Sequence, residues 1–116
     1  MQFTAKKIYV CNIMTQPGET DNYSVASHVN ALLNHANGRK IIDAVLVNDS
    51  LPANMSEGYA KNGSFPVRLD MENLAPTGVT VVSQKLLQEN KEGLVRHSSH
   101  RVARAVYYWY RKAIKR

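Results

Sequence analysis

Tyr9-Val10-Cys11-Asn12-Ile13-Met14-Thr15-Gln16-Pro17-Gly18-Glu19-Thr20-Asp21-Asn22-Tyr23 decides the fold of this 116-residue chain. An apolar run stops at a Pro17-Gly18 turn, and hydroxyl and acidic residues then lead into an amphipathic segment. A buried strand that hands the chain to a helix start has this pattern. Ile8 to Ile13 is too uniformly apolar to keep one wet face, which predicts a strand covered on both sides, as in parallel sheets. In open α/β sheets ligands bind in the crevice beyond the carboxyl ends of the strands. The polar loop Thr15 to Asn22 therefore falls where a ligand is expected.

Outward from this stretch, Val25, Val29, Leu32, Leu33 and Ala36 repeat at helical spacing from about Ser24, and Asn37-Gly38 supplies a stop. Ile41 to Val47 is a second buried strand, rich in β-branched residues and ending at Asn48-Asp49-Ser50. A short helix is expected around Ser56 to Ala60, closed by Asn62-Gly63. Pro66 to Leu69 reads as a short strand and Val79 to Val82 as a firmer one, after the Pro76-Thr77-Gly78 turn. Ser98 or Ser99 caps a final helix that runs to near the end. Strands alternating with helices predict an α/β class with a right-handed βαβ layout, a mostly parallel sheet and helices outside it. No internal repeat and no Gly-x-Gly-x-x-Gly turn is present. A sheet of three or four strands leaves an exposed edge, which predicts marginal stability or self-association of the isolated chain.

At this length the chain builds one core, a single domain over 1–116. No apolar run approaches the roughly 20 residues needed to cross a bilayer, and Met1 to Lys7 lacks the order of a signal peptide. A lone cysteine, Cys11, excludes an internal disulfide and suits a reducing compartment, the cytoplasm. The net charge of +6 is uneven. Residues 93–116 hold seven cations, Arg96, Arg101, Arg104, Arg111, Lys112, Lys115 and Arg116, and no acid. The remainder is nearly neutral, which argues against wholesale nucleic-acid coating.

Several residues carry candidate chemistry. Thr20 or Asp21 at the turn can cap the following helix, but the cluster is denser than capping needs, which makes Asn12, Thr15 and Asp21 ligand-facing candidates. Asn48, at the carboxyl end of the second strand, lies at the same edge and equally suits a turn. His28 and His35 are seven apart, too far for one ion. His97 and His100 have a metal spacing without a third ligand nearby, so no metal is expected. The final helix places Val102, Val106, Trp109 and Ala113 on one stripe and its cations opposite, with Tyr107, Tyr108 and Tyr110 on the flanks. A docking helix with a solvated basic face fits this pattern, as does a tracker of nucleic-acid backbone or a helix on an anionic membrane. No nucleophile–base–acid constellation is legible, so catalysis by this chain alone is not expected, and no cofactor is implied.

Lys7 to Tyr23, the helix with Ala26, His28 and Val29, and Asp43-Ala44-Val45-Leu46-Val47-Asn48 resemble the gluconeogenesis factor (YvcK-like) family, related to the 2-phospho-L-lactate transferase (CofD-like) group. Tyr59, Pro66-Val67 and Leu94-Val95-Arg96-His97 are similar to family features too, although Ser98 stands where an aspartate usually follows the histidine. The resemblance covers nearly the whole chain but only the C-terminal third or so of a typical member. It implies a Rossmann-like three-layer core whose glycine-rich nucleotide-binding half lies outside this chain. It also implies a cytoplasmic bacterial protein that binds a UDP-sugar such as UDP-N-acetylglucosamine. Occupancy would be read by a partner, in support of cell shape and wall synthesis during gluconeogenic growth. Tyr59 and Arg96 match a tyrosine and an arginine that help hold the ligand in the family. A ring that stacks on uracil and a guanidinium that forks onto a diphosphate suit those roles. A CofD-like transferase fragment and a basic nucleic-acid module stand as the alternatives.

Overall fold

The computed structural model describes residues 6–37, 39, 41–52 and 57–114. Three strands, β1 (Ile8–Val10), β2 (Ala44–Asn48) and β3 (Thr80–Gln84), form a parallel sheet in the order β1-β2-β3. Ile8 lies opposite Ala44, and Ala44 opposite Thr80. β2 is central, and its first four residues are all buried, as a strand with neighbours on both edges and helices on both faces must be. The sheet advances in one direction, so right-handed crossovers put both connections on one face. Helices α1 (Val25–His35) and α3 (Met71–Leu74) do meet on one side.

The two-residue period of a strand sorts the core into two halves. Val45 and Val47 of β2 pack with Cys11, Val25, Val29 and Leu74 on the α1 side. Leu46 packs with Leu86 and Ala105 on the other, beneath helix α4 (Ser99–Ile114), with Ile8, Val10, Val82, Val102 and Val106 around them. The result is the expected three-layer α/β arrangement, with its mostly parallel sheet and flanking helices.

The first apolar run is buried as expected but changes partner midway. Cys11 N–H still donates to Leu46 O at 3.0 Å, whereas Ile13 O accepts from Val67 N–H and Thr15 N–H donates to Phe65 O, both at 2.7 Å. The strand expected at Pro66 to Leu69 is reduced to one antiparallel bridge, Met14 to Pro66, because proline has no N–H to continue a ladder. β2 starts at Ala44, not Ile41. Asp43 closes its entrance by accepting from Lys7 N–H through Oδ2 at 2.8 Å.

Helix α1 starts where Ser24 caps it. The Ser24 hydroxyl accepts from Ser27 N–H at 3.2 Å, and the Ser27 hydroxyl accepts from Ser24 N–H at 3.1 Å. Its stop uses Asn37 in the left-handed region, φ 56°; Gly38 lies outside the described residues. The second helix, α2 (Glu57–Lys61), sits one residue later than expected, and Ser56 lies outside the described residues. Ser98, not Ser99, caps α4, accepting from Arg101 N–H at 3.3 Å. An antiparallel hairpin, β4 (Leu87–Glu89) with β5 (Val95–His97), is an element with no counterpart in the sequence expectations. Its turn is built by Asn90, whose Oδ1 accepts from Glu92 N–H and Leu94 N–H, and by Gly93 at φ 77°. No helix among the described residues is long and apolar enough to cross a membrane.

Candidate functional site

The three loops that leave the carboxyl ends of β1, β2 and β3 converge at one edge of the sheet. A cavity of about 450 Å³ opens among them. Its walls are Thr15, Gln16 and Pro17 from the first loop, Tyr59 and Asn62 from the α2 region, and Val95 from β5. Elements far apart in sequence reach it because parallel strands release their chains at the same edge.

Each wall is braced by hydrogen bonds. Thr15 is buried; its hydroxyl accepts from Phe65 N–H at 3.0 Å, and its carbonyl accepts from the Ser64 hydroxyl at 2.6 Å. The Pro17-Gly18 turn is held by its own polar residues. Thr20 Oγ1 accepts from Gln16 N–H at 2.7 Å, and Asp21 Oδ2 accepts from Gly18 N–H at 2.9 Å. These two side chains therefore shape the loop and do not cap α1. Asn12 is half-buried, and its side chain forms no hydrogen bond among the described residues.

Tyr59 ties two walls together. Its hydroxyl accepts from Val95 N–H at 2.8 Å, so α2 holds the strand that carries Arg96. Arg96 is exposed. It alternates with half-buried Val95 and His97, which places its side chain on the outer face of β5, beside the cavity wall and not within it. The guanidinium has no hydrogen-bond or ion-pair partner among the described residues. Asn48 lies at the same edge but is occupied: Oδ1 accepts from Leu86 N–H at 3.0 Å and Leu87 N–H at 3.2 Å, and its amide nitrogen donates to Ser50 O at 2.6 Å. It fixes the chain as it leaves β3 for the hairpin.

Two residues to which the sequence assigned no role at this edge organise it. His97 Nε2 is 3.1 Å from Cys11 O, and since a carbonyl only accepts, the Nε2–H tautomer is assigned. That bond pins the hairpin to the end of β1. Asp70, 2% exposed, is the second. Its carboxylate accepts from Ser24 Oγ–H at 2.7 Å, Ala26 N–H at 3.0 Å and Asn73 Nδ2–H at 2.9 Å. Burial alone pushes the carboxyl up, but the bonds from Ala26, Asn73 and Ser24 outweigh it and hold it below the ordinary carboxylate value. An acid at a helix N-terminus suits the dipole, and here it comes from 46 residues downstream. The consequence for ligands is direct. The start of α1 already holds an anion, so a phosphate has no place there.

The cavity lining contains no described histidine, cysteine or carboxylate. The hydroxyls of Thr15 and Ser64 are engaged with backbone. Cys11 sits deep behind the site: burial pushes its thiol up to about 12, with the Asn12 N–H opposing and the Asp70 charge adding to the rise. Among the described residues no group of three histidine, cysteine or acidic side chains is placed to hold a metal ion. What the site offers is a braced, largely apolar hollow with one tyrosine in its wall and, one residue along β5 from Val95, an unpaired guanidinium.

Comparison with known proteins agrees with this architecture. The family described as 2-phospho-L-lactate transferase CofD matches residues 1–87. A putative gluconeogenesis factor from Nostoc sp. is 43% identical over 110 residues, covering 94% of this chain and 24% of that protein. The gluconeogenesis factor of Bacillus subtilis is 41% identical over 100 residues, covering 85% of this chain and 31% of that protein. A solved member of the UPF0052 family from Bacillus halodurans superposes with a TM-score of 0.81 at 36% identity, over 90% of this chain and 33% of that one. The chain thus spans between about a quarter and a third of these relatives.

Proposed function

The chain belongs to the CofD family and stands beside its gluconeogenesis factors, and on that footing we propose that it takes part in binding a UDP-sugar at the carboxyl edge of the sheet. One observation carries this reading. The hydrogen bond from Val95 N–H to Tyr59 braces a cavity at the expected edge, and Arg96 follows Val95 of its wall directly in the chain. The Tyr59 ring offers a face for uracil, and the unpaired Arg96 guanidinium offers a fork for the diphosphate. Thr15 lines the opposite wall and Asp21 braces the Pro17-Gly18 turn next to it; Asn12, half-buried two residues after β1 and outside the lining, completes the proposed set. Because Asp70 occupies the start of α1, the diphosphate is assigned to the Arg96 side. The role is regulatory, in a cytoplasmic protein that supports gluconeogenic growth and cell shape.

Transferase chemistry is the second reading, favoured by the description of the matching family. The described cavity lining supplies no acid or base for it, so residues of a longer protein would have to.

Calorimetric titration separates the readings. This chain replaces the matching segment of the Bacillus subtilis gluconeogenesis factor, and UDP-N-acetylglucosamine is titrated in. Arg96→Glu is expected to weaken binding by roughly 10- to 150-fold, the equivalent of one lost charge-assisted fork. Arg111→Glu, with the same charge change on α4, should leave it nearly unaltered. Tyr59→Phe keeps the ring but loses the bond to Val95, so it should weaken binding less than Tyr59→Ala, which loses both. Equal losses at Arg96 and Arg111, with folding intact, would remove Arg96 from the site.

A further inference from the structure

Helix α4 carries more exposed chemistry than docking onto the sheet requires. Its apolar stripe is already used, since Ala105 is buried and Val102 and Val106 pack on Leu46 and Leu86. The opposite side is open. Arg101, Arg104, Arg111 and Lys112 are all exposed, and Arg101, Arg104, Tyr108 and Arg111 follow one another at i, i+3, i+7 and i+10. That spacing keeps them in a single row about 15 Å long. Tyr107, Tyr108 and Tyr110 are 57%, 50% and 46% exposed, high for aromatic rings.

The arginines and rings are interleaved. The Arg104 guanidinium lies 5.9 Å from the Tyr108 ring centre, and that of Arg111 lies 5.8 Å from the Tyr107 ring. The two rings meet edge to face at 5.8 Å. Each cation is oriented over a ring without being neutralised, because a cation–π contact leaves the charge in place. No acidic residue occurs in 93–116 to compensate it.

We propose that this outer face of α4 binds single-stranded nucleic acid, independently of the cavity at the sheet edge. Charge complementarity calls for a polyanion. The rings select among polyanions: flat, half-exposed aromatic faces stack on unpaired bases, which a duplex hides. An anionic bilayer would instead need the helix's apolar side, and that side is spent on the sheet. Arg101, Arg104, Arg111 and Lys112 hold phosphates while Tyr107 and Tyr108 take bases.

The full chain is titrated by fluorescence anisotropy against a labelled oligouridylate of about 16 nucleotides, the long end of single-strand site sizes. Four backbone contacts predict a log–log salt slope near −2.8, at about −0.7 per cation for a single strand. The Arg104→Glu/Arg111→Glu double variant should weaken binding by more than about 10-fold and roughly halve that slope. Tyr107→Ala/Tyr108→Ala should weaken it by at least about 5-fold with the slope unchanged, since stacking contributes no ions. All four positions are exposed, and helicity by circular dichroism checks that the variants fold. Saturating UDP-N-acetylglucosamine should not displace the oligonucleotide. The proposal is overturned by equal affinity for duplex and single strand, by preference for anionic vesicles, by a loss on Lys91→Glu as large as on the arginine variant, or by no binding at low salt. Displacement by the UDP-sugar would overturn it too, because the strand would then be in the cavity.

Discussion

Removing the Asp70 carboxylate should do more damage than any other single change at the sheet edge, although the residue does not line the candidate cavity. Asp70→Ala deprives the Ala26 N–H and the Ser24 hydroxyl of a charged acceptor in a position 2% exposed, and Asn73 loses its partner as well. A hydrogen bond to a charged group contributes roughly 1.5–3 kcal/mol, and bonds sharing one carboxylate do not add fully, so the loss should be about 3–5 kcal/mol. For a chain of this size that lowers the melting temperature by roughly 12–20 °C. Asp70→Asn keeps the shape and one acceptor and should cost clearly less. The two effects separate with pH. The folded carboxyl titrates below its unfolded value near 3.9. Its stabilisation is therefore complete above about pH 5 and disappears as pH falls through the folded value. Urea unfolding at several pH values measures this: the gap between wild type and Asp70→Asn should be constant from about pH 7 to 5 and narrow below about pH 4. A loss under 1 kcal/mol for Asp70→Ala, or a gap that widens on acidification, would refute the reasoning.

Two further outcomes are expected. Asn48→Ala leaves the N–H groups of Leu86 and Leu87 without an acceptor, which should cost about 2–3 kcal/mol in urea unfolding. Asn48→Asp keeps that acceptor but sets an oxygen against Ser50 O, so it should recover only part of it; a loss under 1 kcal/mol for Asn48→Ala would show that the two bonds contribute little. Cys11, its thiol pushed up to about 12 and its side chain buried, should resist a disulfide reagent at pH 8 in the folded chain and react at once in denaturant. Reaction at the rate of a free thiol in the folded chain would show that the strand end opens readily.

Local physics made much of this protein legible from its residues. The apolar runs at Ile8 to Ile13 and Ile41 to Val47, the helical period after Ser24 and the amphipathic segment after Ser98 each carry their own periodicity, and a strand or helix is encoded wherever its own side chains repeat correctly. The order of elements then implied a parallel sheet with helices on both faces, and the family resemblance pointed the same way. The hairpin escaped because Leu87–Glu89 and Val95–His97 are three residues each, too short for alternation to register, although Asn90 and Gly93 mark a turn between them.

The tertiary structure decided what depends on distance in sequence. Nothing near Asp70 indicates that it will serve Ser24 and Ala26 instead of capping its own helix, where it makes no side-chain cap. Tyr59 and Val95 become neighbours across 36 residues, and His97 reaches Cys11 across 86. Such pairings carry no period and no fixed spacing, so only the folded packing selects them. The same holds for the limits of β1. Its residues are apolar enough for a longer strand, but backbone N–H and C=O groups must all be paired, and the partner available beyond Cys11 is the Phe65 to Val67 segment, not β2. Residue type determined what each segment can become; the geometry of the completed sheet determined which polar groups meet at its edge.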